Sequence, residues 1–231
     1  NLRVSRNFSR DEVRERVIPT YMGLIRQIDD QLGQLFAFLD AKGLTQSTLI
    51  VFTSDHGDYL GDHWLGEKDL FHEQSVKVPL IVVDPSPSAD ATRGTTCDAL
   101  GWRTCVFSEY DYSMQDVRGM LGLPVSKCRL FMAFDGRWKY IHAPGFRPML
   151  FDLQGDPAEF DDRGADPACS AARETMREAL LDWALRDHNL ITTPDSRIEP
   201  YNSTAQLKAG VLIGYWDEKE VEEARRKAGL P

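Results

Sequence analysis

Between residues 11 and 42 apolar side chains fall at three- and four-residue steps: Tyr21, Leu24, Ile25, Ile28, Leu32, Leu35, Phe36 and Leu39. That period gathers them on one stripe of a helix and predicts that the stripe faces a sheet. Pro19 marks a start or a kink, and Gly43 is placed to stop the helix. After a short turn at 45–47, residues 49–53 (LIVFT) form an unbroken, partly β-branched apolar run. Such a run predicts a strand buried on both faces, as in the middle of a parallel sheet. Residues 79–83 (PLIVV) give one more strand of this kind, too few to complete a parallel layer.

From residue 104 the pattern turns antiparallel. Residues 105–110 and 130–134 are strand-like, Asp135-Gly136 signals a hairpin, and 138–142 forms the return strand. Pro144-Gly145 then turns the chain into 149–153. Residues 169–187 read as an amphipathic helix with Ala172, Met176, Leu180 and Trp183 on its buried stripe. The tail at 211–231 begins with an apolar patch of Leu212, Ile213, Tyr215 and Trp216. It ends in a short helix in which Asp217 and Glu220 have capping-box spacing, and four-apart ion pairs (Glu222 with Arg226, Glu223 with Lys227) each add about 0.3 kcal/mol. The expected organisation is an α/β part at 1–100, an antiparallel sheet and helix at 101–195, and a tail at 196–231.

Composition narrows the partners. The 231 residues are 42% apolar and contain no stretch of membrane-spanning length. A formal net charge of −9 argues against nucleic acid and anionic membrane surfaces, so an anionic substrate must be drawn by local cations. Four cysteines, at 97, 105, 128 and 169, form no C-x-x-C pair. They read as reduced thiols, which points to a cytoplasmic location. No signal peptide is visible, and a chain opening on NLRVSRNFSRDEVRERV reads as starting mid-phrase, with further sequence expected upstream. The triplets at Asn7 and Asn202 match glycosylation acceptors by composition alone.

The chemistry-bearing residues lie where the apolar run ends. Ser54, Asp55, His56, Gly57 and Asp58 follow the strand directly, at the carboxyl end where open α/β sheets collect ligands. Asp55 and His56 are hard and borderline donors suited to a divalent cation, and Gly57 permits a sharp backbone turn. Two donors do not complete a site, so other segments must supply the rest. In the loop at 58–73, Trp64 and Phe71 are expected to anchor the loop more than to wall a pocket, and His63 and His72 to be structural. Lys68, taken alone, is a loop lysine whose default is solvation. Asp29 and Asp30 sit on the edge of the helix, where solvated carboxylates are the rule.

The run SDHGDYLGDHWLGEK, the upstream helix YMGLIRQIDDQLGQLFAFLDAKGL and the downstream strand KVPLIVV together resemble the sulfatase branch of the alkaline-phosphatase superfamily. Within it the chain is most similar to bacterial phosphonate monoester hydrolases. The resemblance continues through FSEYDYS and FDGRWKYIHAPGFRPMLFDLQGDPAEF into the tail. It implies an α/β fold, an incomplete alkaline-phosphatase-like parallel sheet with helices plus a small C-terminal antiparallel sheet. It also implies that Asp55 and His56 are ligands of a divalent metal ion (Mn, Ca, Mg or Zn), and that Lys68 contacts the oxygens of the transferred phosphoryl or sulfuryl group of a small anionic ester. The nucleophile of that family is a formylglycine, expected in an N-terminal part outside this sequence. Cys169-Ser170-Ala171-Ala172-Arg173 fits a loose form of its C-x-P/A-x-R signature, yet it follows the metal motif and is made of helix formers, so it is not read as the nucleophile.

Near residue 100 the chain departs from the family, which has a helix and a loop there. The apolar patch of the tail reads by default as docking on its own domain, while the resemblance favours contact with a second copy of the chain. Two alternatives stay open: a phosphatase or phosphomutase of the same superfamily, which Asp-His-Gly alone permits, and a non-catalytic module. With two ligands and no nucleophile, this chain is expected to bind metal weakly, turn over little, and expose strand edges that favour aggregation.

Overall fold

The structure, a computed structural model, describes residues 6–86, 104–185, 195–198 and 218–227. The departure near residue 100 and the tail patch at 211–216 lie outside the described residues. The chain divides into two compact units, Asn1–Trp102 and Arg103–Pro231. Among the described residues no helix is long and apolar enough to cross a membrane.

The first unit is led by helix α1, Asp11–Ala41, with Asp11 and Glu12 in its first turn, where the helix dipole favours negative charge. Pro19 lies inside it and neither starts nor ends it. Gly43 stops it as expected: at φ +67° its N–H bonds to Asp40 O at 3.0 Å, and Leu44 N–H reaches back to Leu39 O at 2.9 Å. This is the paired hydrogen bonding of a glycine-terminated helix. The apolar stripe forms but meets no sheet among the described residues. Leu24, Ile25, Ile28, Leu35 and Phe36 are between 42 and 54% exposed, and α1 has no buried residue.

Strands β1, Ile50–Thr53, and β2, Leu80–Val83, pair antiparallel with Thr53 opposite Leu80 and Ile50 opposite Val83. This corrects the expected parallel sheet. The segment between them folds back over the end of β1 through a one-turn helix α2, Glu73–Val76, and returns the chain to where it left. A parallel return needs a crossover that carries the chain back to the opposite end. Burial on both faces is corrected too: β1 alternates half-buried with exposed and β2 is exposed throughout, because no described layer covers either face.

The second unit has the covering the first lacks. Strands β3 (Val106–Asp111), β4 (Arg129–Phe134), β5 (Trp138–His142) and β6 (Met149–Asp152) form an antiparallel meander in that order. A short helix α3, Asp116–Leu121, lies between β3 and β4, and α4, Ser170–Ala184, packs on β4 and β5. Ala133, Tyr140, Leu150, Met176 and Leu180 make the core, with Ala172 and Trp183 packed against it, so the predicted stripe of α4 faces inward. Phe107 and Trp183 stack with ring centres 5.1 Å apart. Two further short helices, α5 (Asp195–Ile198) and α6 (Glu218–Lys227), follow.

The hairpin between β4 and β5 is shifted from its sequence reading. The register pairs Phe134 with Lys139 and Asp135 N–H bonds to Trp138 O, so Gly136 at φ +96° and Arg137 are the central residues. Glycine thus stands first of the two, the pattern of a type II′ turn. The Asp135 carboxylate accepts from the N–H groups of Arg137 and Trp138 at 2.9 and 2.7 Å.

Sequence inspection did not anticipate that Lys139 would be buried. Its Nζ lies 2.8 Å from Glu159 Oε1, and both side chains are about 1% exposed. The pair ties the loop after β6 to the middle of the sheet. Removing one partner of such a pair leaves a buried charge, so Glu159→Ala is expected to destabilise the second unit by about 3–5 kcal/mol, while the paired change Lys139→Met with Glu159→Leu recovers most of the loss. Urea titration of both variants checks this. In the first unit, the exposed stripe predicts strong binding of a fluorescent hydrophobic dye and concentration-dependent association. Ile25→Glu with Ile28→Glu is expected to reduce both without lowering the melting temperature, as read by dye fluorescence, light scattering and calorimetry.

Candidate active site

The predicted donors meet at the end of β1. Ser54 Oγ donates to His56 O at 2.7 Å, and the Asp55 carboxylate accepts the His56 N–H at 3.1 Å, which fixes the acid against the next peptide. His56 Nδ1 lies 2.8 Å from Gly57 O, and His56 Nε2 lies 2.8 Å from Lys68 Nζ. An ammonium only donates, so Nε2 presents its lone pair and the ring proton sits on Nδ1, held by the Gly57 carbonyl. Asp55 Oδ2 is 3.5 Å from the same Nε2. Asp55, His56 and Lys68 therefore converge on one point. Loss of solvent acts to raise the Asp55 carboxyl, but backbone N–H groups of Asp55 and His56 and the neighbouring side chains of His56 and Lys68 outweigh it and hold it below its ordinary range.

The loop after β1 builds this geometry. Gly57 N–H bonds to Ser75 O at 2.7 Å, and Ser75 Oγ donates to Lys68 O, so one serine ties the strand end to the backbone that carries the lysine. A Cβ on Gly57 would lie 1.9 Å from Gln74 O, which is why the position demands glycine. Beneath, Tyr59, His63, Leu65, Leu70, Phe71 and His72 are buried as a small core of the loop's own. The Tyr59 hydroxyl meets His72 Nδ1 at 2.7 Å, and the His63 and His72 rings stack 4.0 Å apart. Phe8 closes the edge against Gly66. Leu60, His63, Trp64, Glu67 and Leu70 all take positive φ, a strained arrangement that persists only where the surrounding packing enforces it.

The other residues singled out in the sequence fall elsewhere. Phe71 is buried inside the loop, whereas Trp64 is 61% exposed. His63 and His72 are buried in the loop core. Asp30 pairs with Arg26 at 3.0 Å on the solvated side of α1. Cys169 sits at the start of α4, where Arg173 donates to the carbonyls of Gly164 and Asp166, the bonding of a helix entrance. Among the described residues no group of three or more His, Cys, Asp or Glu side chains gathers as a metal site. Ser75 is the positioning residue that sequence reasoning missed; a lone serine in a one-turn helix carries no periodic or motif signal.

Residues 3–96 match the Sulfatase family model. The multifunctional alkaline phosphatase superfamily protein PehA of Trinickia caryophylli is 33% identical over 206 residues, covering 72% of this chain and 40% of that protein. Residues 3–96 thus carry a Sulfatase-family domain, in a chain similar to members of the alkaline-phosphatase superfamily. A choline-sulfatase of Rhizobium meliloti is 28% identical across 90% of this chain and 45% of its own length. Among solved structures, the phosphonate monoester hydrolase of Agrobacterium radiobacter superposes with a TM-score of 0.62 at 31% identity, over 71% of this chain and 40% of that one. The Silicibacter pomeroyi phosphonate monoester hydrolase SpPMH gives 0.68 at 26% identity, over 78% and 43%. The chain thus spans less than half the length of these relatives.

Gly57→Ala is expected to destabilise the first unit by about 1–3 kcal/mol, since a methyl group would be driven into the Gln74 carbonyl. Gly23→Ala, mid-helix with nothing within 4 Å of the added carbon, is expected to stabilise it by about 0.5–1 kcal/mol. Denaturant midpoints of the two variants against the parent check the contrast.

Proposed function

We propose that this chain supplies the cation- and anion-binding part of a hydrolase acting on phosphonate or phosphate monoesters, diesters or sulfate esters. The observation that carries the reading is the convergence of Asp55, His56 and Lys68 on one point, with His56 held in the tautomer a metal ligand needs. The donor set fits a divalent cation, Mn, Ca, Mg or Zn: one ionised carboxylate and one imidazole lone pair, to which other donors would be added. When bound, the cation supplies Lewis-acid polarisation of an ester oxygen, worth several kcal/mol of transition-state stabilisation.

The protein's own groups do the rest of the work proposed here. Lys68 places a positive charge against the non-bridging oxygens, where preorganised electrostatics counts most because no solvent must reorient as charge develops. The Gly57 carbonyl keeps the proton on His56 Nδ1, and Ser75 keeps the Lys68 backbone in place. Water adds across the ester to give an acid and an alcohol. By family resemblance the nucleophile would be a formylglycine, and no described residue is assigned that role. The substrate is a small anionic ester, drawn by the local cations against an overall charge of −9; neither nucleic acid nor membrane is a partner, and the location is cytoplasmic.

Calorimetric titration with manganese or zinc is expected to show weak binding to this chain, and Asp55→Ala and His56→Ala to weaken it at least about tenfold. Turnover of an aryl phosphonate or aryl sulfate is expected to stay near background. Affinity unchanged in both variants, or turnover close to that of a full-length relative, would overturn the assignment.

A further inference from the structure

We propose that Lys68 is a latch on the ligand histidine: its ammonium and a divalent cation compete for one lone pair, that of His56 Nε2, and loading the cation releases Lys68 to meet an oxygen of the anionic ester. The inference rests on the reading of Asp55 and His56 as cation ligands and adds a second task to Lys68.

The argument is one of valence. With its Nδ1 proton committed to the Gly57 carbonyl, the His56 ring has a single lone pair to offer, at Nε2. Lys68 Nζ already takes it, at 2.8 Å, and an ammonium has no other way to engage that atom than by donating a proton to it. A cation that coordinates Nε2 must therefore evict the lysine. Eviction moves the side chain alone. The Lys68 backbone carbonyl is held by Ser75, the flanking Glu67 carbonyl by Tyr59 N–H at 3.0 Å, and the loop rests on its own buried core. The ammonium is exposed and travels on a flexible four-carbon stem.

Releasing Lys68 beside a newly bound cation puts two positive charges together, which an anionic ester relieves by pairing with both. Cation and ester then each tighten the binding of the other, as linkage requires. The latch keeps the ring facing the site and makes the order of loading cation first, ester second.

Zinc is the probe, because it accepts mixed imidazole and carboxylate ligands and leaves magnetic resonance signals sharp. Calorimetric titration of the whole 231-residue chain and of Lys68→Met is expected to show about tenfold tighter zinc binding in the variant, the worth of one charge-assisted hydrogen bond. The ratio is expected to persist near 1 M salt, where the Debye length is about 3 Å and simple charge repulsion fades. In the parent chain the Lys68 ammonium resonance is expected to lose its hydrogen-bonded position as zinc loads His56. Equal or weaker zinc binding by Lys68→Met, a ratio that collapses with salt, or an ammonium signal unmoved at zinc saturation would overturn the latch and leave the ligand pair standing. Failure of His56→Ala to weaken zinc in the Lys68→Met background, or no zinc binding by either chain, would remove the ligand pair and the latch together.

Discussion

One serine holds the first unit's chemistry in register. The Ser75 carbonyl receives Gly57 N–H and its hydroxyl donates to Lys68 O, so the turn that presents Asp55 and His56 and the loop limb that presents Lys68 are joined through a single residue. The absence of a side chain at Gly57 makes that closeness possible. An acid, an imidazole and an ammonium from three positions can share one point only if the backbones behind them cannot drift apart, and two hydrogen bonds plus a steric constraint accomplish this.

The loop that carries the lysine is unusual in its backbone and in what compensates for it. Five non-glycine residues between Leu60 and Leu70 take positive φ, at a cost of about 1–3 kcal/mol each. Opposing that cost is a buried set of aromatic, imidazole and aliphatic groups contained almost wholly within the loop and the turn it returns to. Stacked histidines at 63 and 72 are thus part of a foundation and stand apart from the chemistry.

The two units reach stability by different means. In the second, strand alternation and a helix stripe meet each other, and burial on both sides of the meander closes over a charged pair, Lys139 with Glu159. In the first, the helix stripe and both strand faces are as apolar as the sequence suggests and remain open to solvent in the described residues. The chain spans less than half the length of the relatives it matches.

Local periodicity and turn chemistry determined a good deal: the span of α1 and its glycine stop, the strands at 50–53 and 80–83, the meander, the inward stripe of α4, and the candidate donors Asp55 and His56, whereas Lys68 was a candidate only by family resemblance. These are properties of neighbours along the chain, where spacing alone sets direction. What tertiary structure decided is everything that depends on partners distant in sequence. The antiparallel sense of β1 and β2 follows from where the loop returns, the exposure of α1 from the lack of a covering layer among the described residues, and the shift of the hairpin to Gly136–Arg137 from cross-strand register. The burial of Lys139 depends on a glutamate twenty positions away, and the link of Ser75 to Lys68 on a fold of the backbone that no pattern of residue types encodes. Sequence spacing names which groups are available; only the folded backbone brings their atoms within hydrogen-bond distance.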